Sequence, residues 1–133
     1  MKVQNNQLTS QELEWLNAMF NSEFLYKDII IDQINNATIT KKYTKYYISI
    51  KFIISDNFPR VKVSSAVPLE MRAFKKGKPP VQFLLHLNNG LVNELEIISA
   101  TSSPVDPSME DTQIELVIDS ELKQKHWNDS IKN

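Results

Sequence analysis

No cysteine occurs among the 133 residues, so disulfide frameworks, thiolate metal sites and a Cys nucleophile are excluded. Glycine is nearly as scarce. Gly77 and Gly90 are the only two, which leaves no Gly-rich phosphate cradle of the Rossmann or P-loop kind and argues against nucleotide-dependent catalysis. The two histidines, His86 and His126, are not spaced as a metal pair on one helix, and no serine lies in a nucleophile elbow. No apolar run approaches the roughly 18 residues of a membrane span. Met1 to Ser10 is polar and lacks the apolar core of a signal peptide. The expectation is a cytoplasmic protein that uses neither metal nor cofactor.

What is present is balance: 15 basic residues face 16 acidic ones and 41% of the chain is hydrophobic, as in one domain that buries a single core. About two-thirds of the unfolded chain's surface can be buried at this length, so the fold needs no covalent staple.

Leu8-Thr9-Ser10-Gln11-Glu12-Leu13 is a helix start, with Thr9 as cap, Glu12 completing a capping box, and Leu8 and Leu13 at the staple positions. Leu13, Leu16 and Phe20 then share one face, flanked by Trp15 and Met19, which predicts a helix from about Ser10 to Asn21. A second helix is expected to be capped by Asn21 or Ser22, with Leu25, Ile29, Ile30 and Ile34 as its stripe and Asn35-Asn36 as its stop. From Ala37 the period changes to two. Tyr46 to Ile54 and Val61 to Val67 alternate as half-buried strands separated by the turn Ser55 to Pro59, and Leu69 to Phe74 continues an extended path beyond Pro68. Lys75 to Pro80 and Thr101 to Asp111 are loops, and Gln113 to Asp119 is a last strand.

Val81-Gln82-Phe83-Leu84-Leu85-His86-Leu87 and Leu91 to Ile98 flank Asn88-Asn89-Gly90. A two-residue Asn-Gly turn would pair Leu85 with Glu94 and Phe83 with Glu96, mixing apolar and charged residues on both faces. A three-residue loop with a left-handed Gly90 instead sets Leu87 opposite Leu91, Phe83 opposite Leu95 and Val81 opposite Ile97, and is the register expected here. The other face then carries Gln82, Leu84, His86, Val92, Glu94 and Glu96.

The expected fold is α+β, one domain over 1–133: a helical pair at 8–36 on one face of a five- to six-stranded, mainly antiparallel sheet at 37–119, then a polar tail at 120–133 in which Leu122, Trp127 and Ile131 are the large apolar residues.

Charge is unevenly spread. Residues 38–80 hold 10 basic and 2 acidic residues, whereas 81–119 hold 7 acidic and none basic. Lys41, Lys42, Lys45, Tyr46 and Lys62 offer phosphate contacts and base stacking for a nucleic acid. Against this, basic and acidic strands that pair within the sheet cancel one another's fields, and a nucleic-acid binder more often carries a net basic excess. Gln82, His86, Glu94, Glu96, Asp106, Glu110 and Asp111 form an alternative surface for a basic protein partner. A His-carboxylate catalytic site built from His86 with Glu94 or Glu96 is a third reading; the expectation is that the chain is not an enzyme.

The segment Leu84-Leu85-His86-Leu87-Asn88-Asn89-Gly90-Leu91-Val92-Asn93-Glu94-Leu95-Glu96-Ile97, followed by Ser103-Pro104-Val105, resembles a family of small bacterial proteins with an LLHxxxGxxxELEI hairpin and a trailing SPV. Val67-Pro68-Leu69-Glu70 and the helix start at Leu8-Thr9 are similar to that family's layout. In build these proteins are similar to immunity proteins of contact-dependent growth inhibition and other polymorphic toxin systems. The resemblance implies an inhibitor that occludes a cognate toxin domain without turnover of its own, and it assigns no catalytic residue. Neither the number of copies in the working unit nor the identity of the toxin follows from it.

Overall fold

Thr9 starts the first helix as its sequence implies: its hydroxyl accepts from the Glu12 N–H, while the Glu12 carboxylate accepts from the Thr9 N–H at 2.8 Å. The computed structural model describes residues 1–123, which form α1 (Ser10–Met19), α2 (Lys27–Asn35), β1 (Thr38–Tyr43), β2 (Tyr47–Ile53), β3 (Leu69–Phe74), β4 (Val81–Asn88), β5 (Leu91–Ser99), β6 (Gln113–Ile118) and a 3-10 turn (Ser120–Leu122). The strands make one antiparallel sheet in the order β1-β2-β5-β4-β3-β6. The architecture is α+β. Trp127, Ile131 and His126 lie outside the described residues.

Period-two alternation positions the core. Ile48, Ile50 and Phe52 of β2, Met71 of β3, Phe83 and Leu85 of β4, and Leu95 and Ile97 of β5 are buried with Trp15, Leu16 and Met19 of α1 and Ile30, Ile31 and Ile34 of α2. Each such side chain contributes about 1.5–3 kcal/mol by leaving water. Trp15 is the centrepiece: its ring lies 5.8 Å from that of Phe83 and its indole N–H donates to the Pro107 carbonyl at 2.9 Å. The N-terminal stretch, polar in sequence, is bound by amides. Asn5 donates to the carbonyls of Ile34 and Ala37, closing the end of α2, and Asn17 both accepts from and donates to the Val3 backbone.

Three local expectations are corrected. The second helix is capped by neither Asn21 nor Ser22. It begins after Tyr26, which is left-handed at φ 68° and makes no side-chain cap bond, because the connection first sends Phe24 into the core beside Phe20 and leaves Leu25 outside the helix. Val61 to Val67 is not a strand. It crosses the end of the sheet from β2 to β3, and its backbone bonds are the Val61 N–H to Gly90 and the Leu87 N–H to Ala66.

The third correction concerns the β4–β5 hairpin. Leu87 pairs with Val92 and Asn88 with Leu91, so the connection is the two-residue Asn89-Gly90 turn, with both residues at positive φ (53° and 79°), and not a three-residue loop. A bulge next to His86 and Leu87 shifts the register, after which His86 faces Glu94, Leu85 faces Leu95 and Phe83 faces Ile97. Asn93 is the extra residue, and it points to solvent. The apolar face is preserved by the bulge, not by the loop length.

Candidate functional site

The helices and long connections cover one face of the sheet. The other face is open among the described residues, and the strand register orders it into rows. One row runs Thr40, Lys51, Glu94, His86; the next runs Lys42, Ser49, Glu96, Leu84, Glu70, Val117; a third runs Tyr47, Ile98, Gln82, Arg72, Glu115. Within these rows β1 and β2 supply cations, β5 supplies carboxylates, and β3 and β6 supply a mixture.

The open face is tied together by its own polar contacts. His86 Nε2 lies 3.0 Å from Glu96 Oε1, and the Ser49 hydroxyl donates to Glu94. Arg72 donates to Glu70 at 2.7 Å and to Glu115 at 3.3 Å, while Gln82 donates to Glu70 at 3.2 Å. Lys42 stands over the Tyr47 ring at 5.7 Å. Thr40, Lys41, Lys42, Tyr47, Ser49, Lys51, Glu94 and Glu96 line a shallow concavity, although the Lys41 ammonium itself reaches Glu12 on the helix side. Basic and acidic strands lie side by side here, with Lys51 of β2 opposite Glu94 of β5, so the two charge blocks of the sequence meet on one face.

The seven residues read as a basic partner's surface fall into two groups. Gln82, His86, Glu94 and Glu96 share the open face. Asp106, Glu110 and Asp111 do not join them, because the β5–β6 connection passes beneath α1, where Trp15 holds Pro107. Asp106 there accepts from Lys78 at 2.6 Å and pairs with Lys75 at 3.4 Å, fastening the connection to the β3–β4 loop. The Lys78 bond, with help from the Ser108 N–H and Lys75, holds its carboxyl down at about 2 against a smaller opposing effect of burial. Glu110 sits beside Ser10, Gln11 and Glu14 of α1, and Asp111 adopts positive φ just before β6.

The five residues read as a nucleic-acid contact are also separated. Lys42, on the open face, and Lys45 and Tyr46, in the exposed β1–β2 turn, are near one another, with Lys45 5.7 Å over the Tyr46 ring. Lys62 lies beside Gly90 at the other end of the sheet, about 20 Å away by the length of a seven-residue strand. Lys41 alternates to the helix side and donates to the buried Glu12 at 2.6 Å.

Sequence reasoning reached only the capping role of Glu12. This carboxylate also accepts from the Tyr43 hydroxyl, so it joins α1 to the edge strand β1. Burial raises its pKa, but the bonds from Lys41, Tyr43 and Thr9 together outweigh that and hold it below the ordinary value. Burial and the adjacent Glu12 carboxylate push the Tyr43 phenol well above its ordinary value. The period-two placement of Lys41 and Tyr43 on the same side as Ile39 is the signal that could have found them.

Among the described residues, no three His, Asp or Glu side chains gather as a metal ion would require, and no helix is long and apolar enough to cross a membrane. Compared with known proteins, the chain matches no family model, no curated protein and no solved structure.

Proposed function

We propose that this chain is an immunity protein that binds a cognate bacterial toxin domain in the cytoplasm and occludes its active site or substrate surface, using the open face of the sheet. The observation that carries the reading is the His86, Glu94 and Glu96 group at the centre of that face, beside half-buried Leu84 and Ile98. A protein interface of this kind uses apolar anchors inside a polar, charged surround. Toxins that act on nucleic acids tend to be basic because their substrates are polyanions, and carboxylates on the inhibitor speed encounter with them. Occlusion needs no turnover by the inhibitor. The dispersal of Lys41 and Lys62 away from Lys42, Lys45 and Tyr46 weighs against a single nucleic-acid surface.

The test is to isolate the tagged chain from its native host at mild salt, identify any stoichiometric partner, and assay that partner's toxic activity. Inhibition by the wild-type chain, weakened in a Glu94→Lys, Glu96→Lys variant, is the expected result. Recovery of nucleic acid alone, with affinity falling steeply as salt rises, would overturn it in favour of nucleic-acid binding. Turnover of a small substrate that His86→Ala abolishes with the fold intact would make the chain an enzyme.

A further inference from the structure

The two edges of the sheet are built differently. Along β1, the Ile39 N–H points outward and is taken by the Gln7 side chain at 3.1 Å, and Lys41 and Lys42 add charge. Both are ways in which an edge strand is protected from pairing with another chain. Among the described residues no side chain takes an outward N–H of β6, and the strand is less charged. Its sequence, Gln-Ile-Glu-Leu-Val-Ile, carries one charge and no proline, and Ile114 and Val117 are 41% and 38% exposed.

The direction of the β6 backbone follows from one bond. Asp119 donates its N–H to the Pro68 carbonyl, in line with the β3–β6 register in which Glu70 faces Val117 and Arg72 faces Glu115. In an antiparallel ladder the bonded pairs recur every second residue. Glu115 and Val117 therefore turn their backbone groups toward β3. Ile114, Leu116 and Ile118 turn their N–H and C=O groups outward, and their side chains lie on the helix-covered side.

We propose that β6 pairs with β6 of a second copy of this chain about a two-fold axis at Leu116, joining the two sheets into one. An antiparallel pairing centred there sets Leu116 against its own counterpart and Ile114 against Ile118 in both directions, so every bonded pair is apolar. On the open face Glu115 meets Val117 of the other copy, not another carboxylate, and keeps Arg72 as its ion pair. Moving the axis by one residue to Glu115 would put Glu115 opposite its own counterpart, and moving it to Val117 would put Glu115 opposite Asp119, so either shift brings two carboxylates together. The strand is thus self-complementary in one register, which is what an isologous interface demands. The same operation through β1 would bring Lys41 and Lys42 of both copies together and displace Gln7. This inference does not depend on the proposed toxin.

The absence of native cysteine makes the register directly testable. In bonded antiparallel pairs the Cα atoms are about 5.5 Å apart, within disulfide reach. Full-length Leu116→Cys is expected to give a covalent dimer on mild oxidation. Ile114→Cys is not, because its counterpart lies four residues along the partner strand. Sedimentation equilibrium of the wild-type chain should give twice the monomer mass, and Ile114→Lys should return it to the monomer mass, whereas Thr40→Lys on the opposite edge should not. Far-ultraviolet circular dichroism verifies that Ile114→Lys is folded. If it is not, the cysteine pair decides alone. A wild-type chain that stays monomeric at high concentration, a dimer indifferent to a folded Ile114→Lys, or cross-linking that favours Ile114→Cys over Leu116→Cys would each overturn the proposal.

Discussion

Gln33 on α2 holds Gly90 at the tip of the β4–β5 hairpin. Its amide donates to the Gly90 carbonyl at 3.1 Å and to the Pro59 carbonyl at 2.8 Å, while its own carbonyl accepts from the Val92 N–H at 2.8 Å. One wholly buried side chain thereby joins the helix, the hairpin and the segment that crosses from β2 to β3. The closeness is enforced at Gly90, where a Cβ would stand 2.6 Å from the Val61 carbonyl oxygen and φ is +79°. The hairpin in turn carries His86, Glu94 and Glu96, so this clamp sets the position of the open face.

Gln33→Leu keeps the bulk of the side chain and removes all three bonds, leaving the buried Val92 N–H without a partner. Such losses cost about 1–3 kcal/mol per buried group, so destabilisation of about 2–4 kcal/mol is expected in chemical denaturation. Gly90→Ala combines a backbone clash with left-handed strain and should cost about 2 kcal/mol or more. Changes below about 0.5 kcal/mol in both variants would mean that the clamp adds nothing to stability.

Glu12 gives the fold an acid limb. Its carboxyl ionises below its ordinary value in the folded chain, so the unfolded chain binds more protons as the medium is acidified. Its contribution is fully present above the ordinary carboxylate range and is lost as pH falls through the lower folded value. Glu12→Gln should be less stable at neutral pH and show a flatter acid dependence, measured by unfolding at a series of pH values. Tyr43 has the opposite sign. Its phenol is raised in the folded chain, so its contribution is present below about pH 10 and lost as pH rises toward the folded value. Tyr43→Phe should remove that alkaline limb.

Asp106→Asn tests whether the β5–β6 connection depends on its two lysines. Because the Asp106 side chain is 40% exposed, solvent screens the pairs and the global effect should stay below about 1 kcal/mol. The local effect is the sharper readout. The indole N–H of Trp15, bonded to the adjacent Pro107 carbonyl, should exchange faster with solvent in the variant. An unchanged exchange rate would show that Pro107 is held without Asp106.

Charge reversal separates the two groups of acids. Glu94→Lys with Glu96→Lys should slow association with the partner by about tenfold or more at low salt, with the difference shrinking as salt rises. Glu110→Lys, beside α1, should change the association rate by less than about twofold. Equal effects from both would mean that the partner is steered by overall charge and not by the open face.

The first helix was legible because its determinants are local: Thr9 and Glu12 bond each other across three residues, and Leu16 and Met19 repeat at the helical period. The strands were legible in the same way, from alternation in β2 and β4. The beginning of α2 was not, because Asn21 and Ser22 have good capping chemistry but the core takes Phe24 first. Val61 alternates with its neighbours like a strand residue, yet it is buried by crossing the sheet end under Gly90. The open-face residues Gln82, His86, Glu94 and Glu96 share a face in the three-residue-loop register expected from the sequence and again in the bulged register observed. Asp106 and Lys41 resembled their sequence neighbours in type, and only their long-range partners distinguish them.

By itself, the sequence determined the class of fold and the faces of the individual elements, since period, caps and turn residues act over a few positions along the chain. It carried the Asn-Gly turn signal as well. Only the tertiary structure decided that a bulge beside His86 would reconcile that turn with an apolar core, that Glu12 would bind Lys41 and Tyr43, and that Gln33 would close on Gly90. Burial drives those choices: a one-residue slip would put Glu94 and Glu96 into the core, and a buried carboxylate or amide is stable only where distant parts of the chain meet its hydrogen-bonding needs.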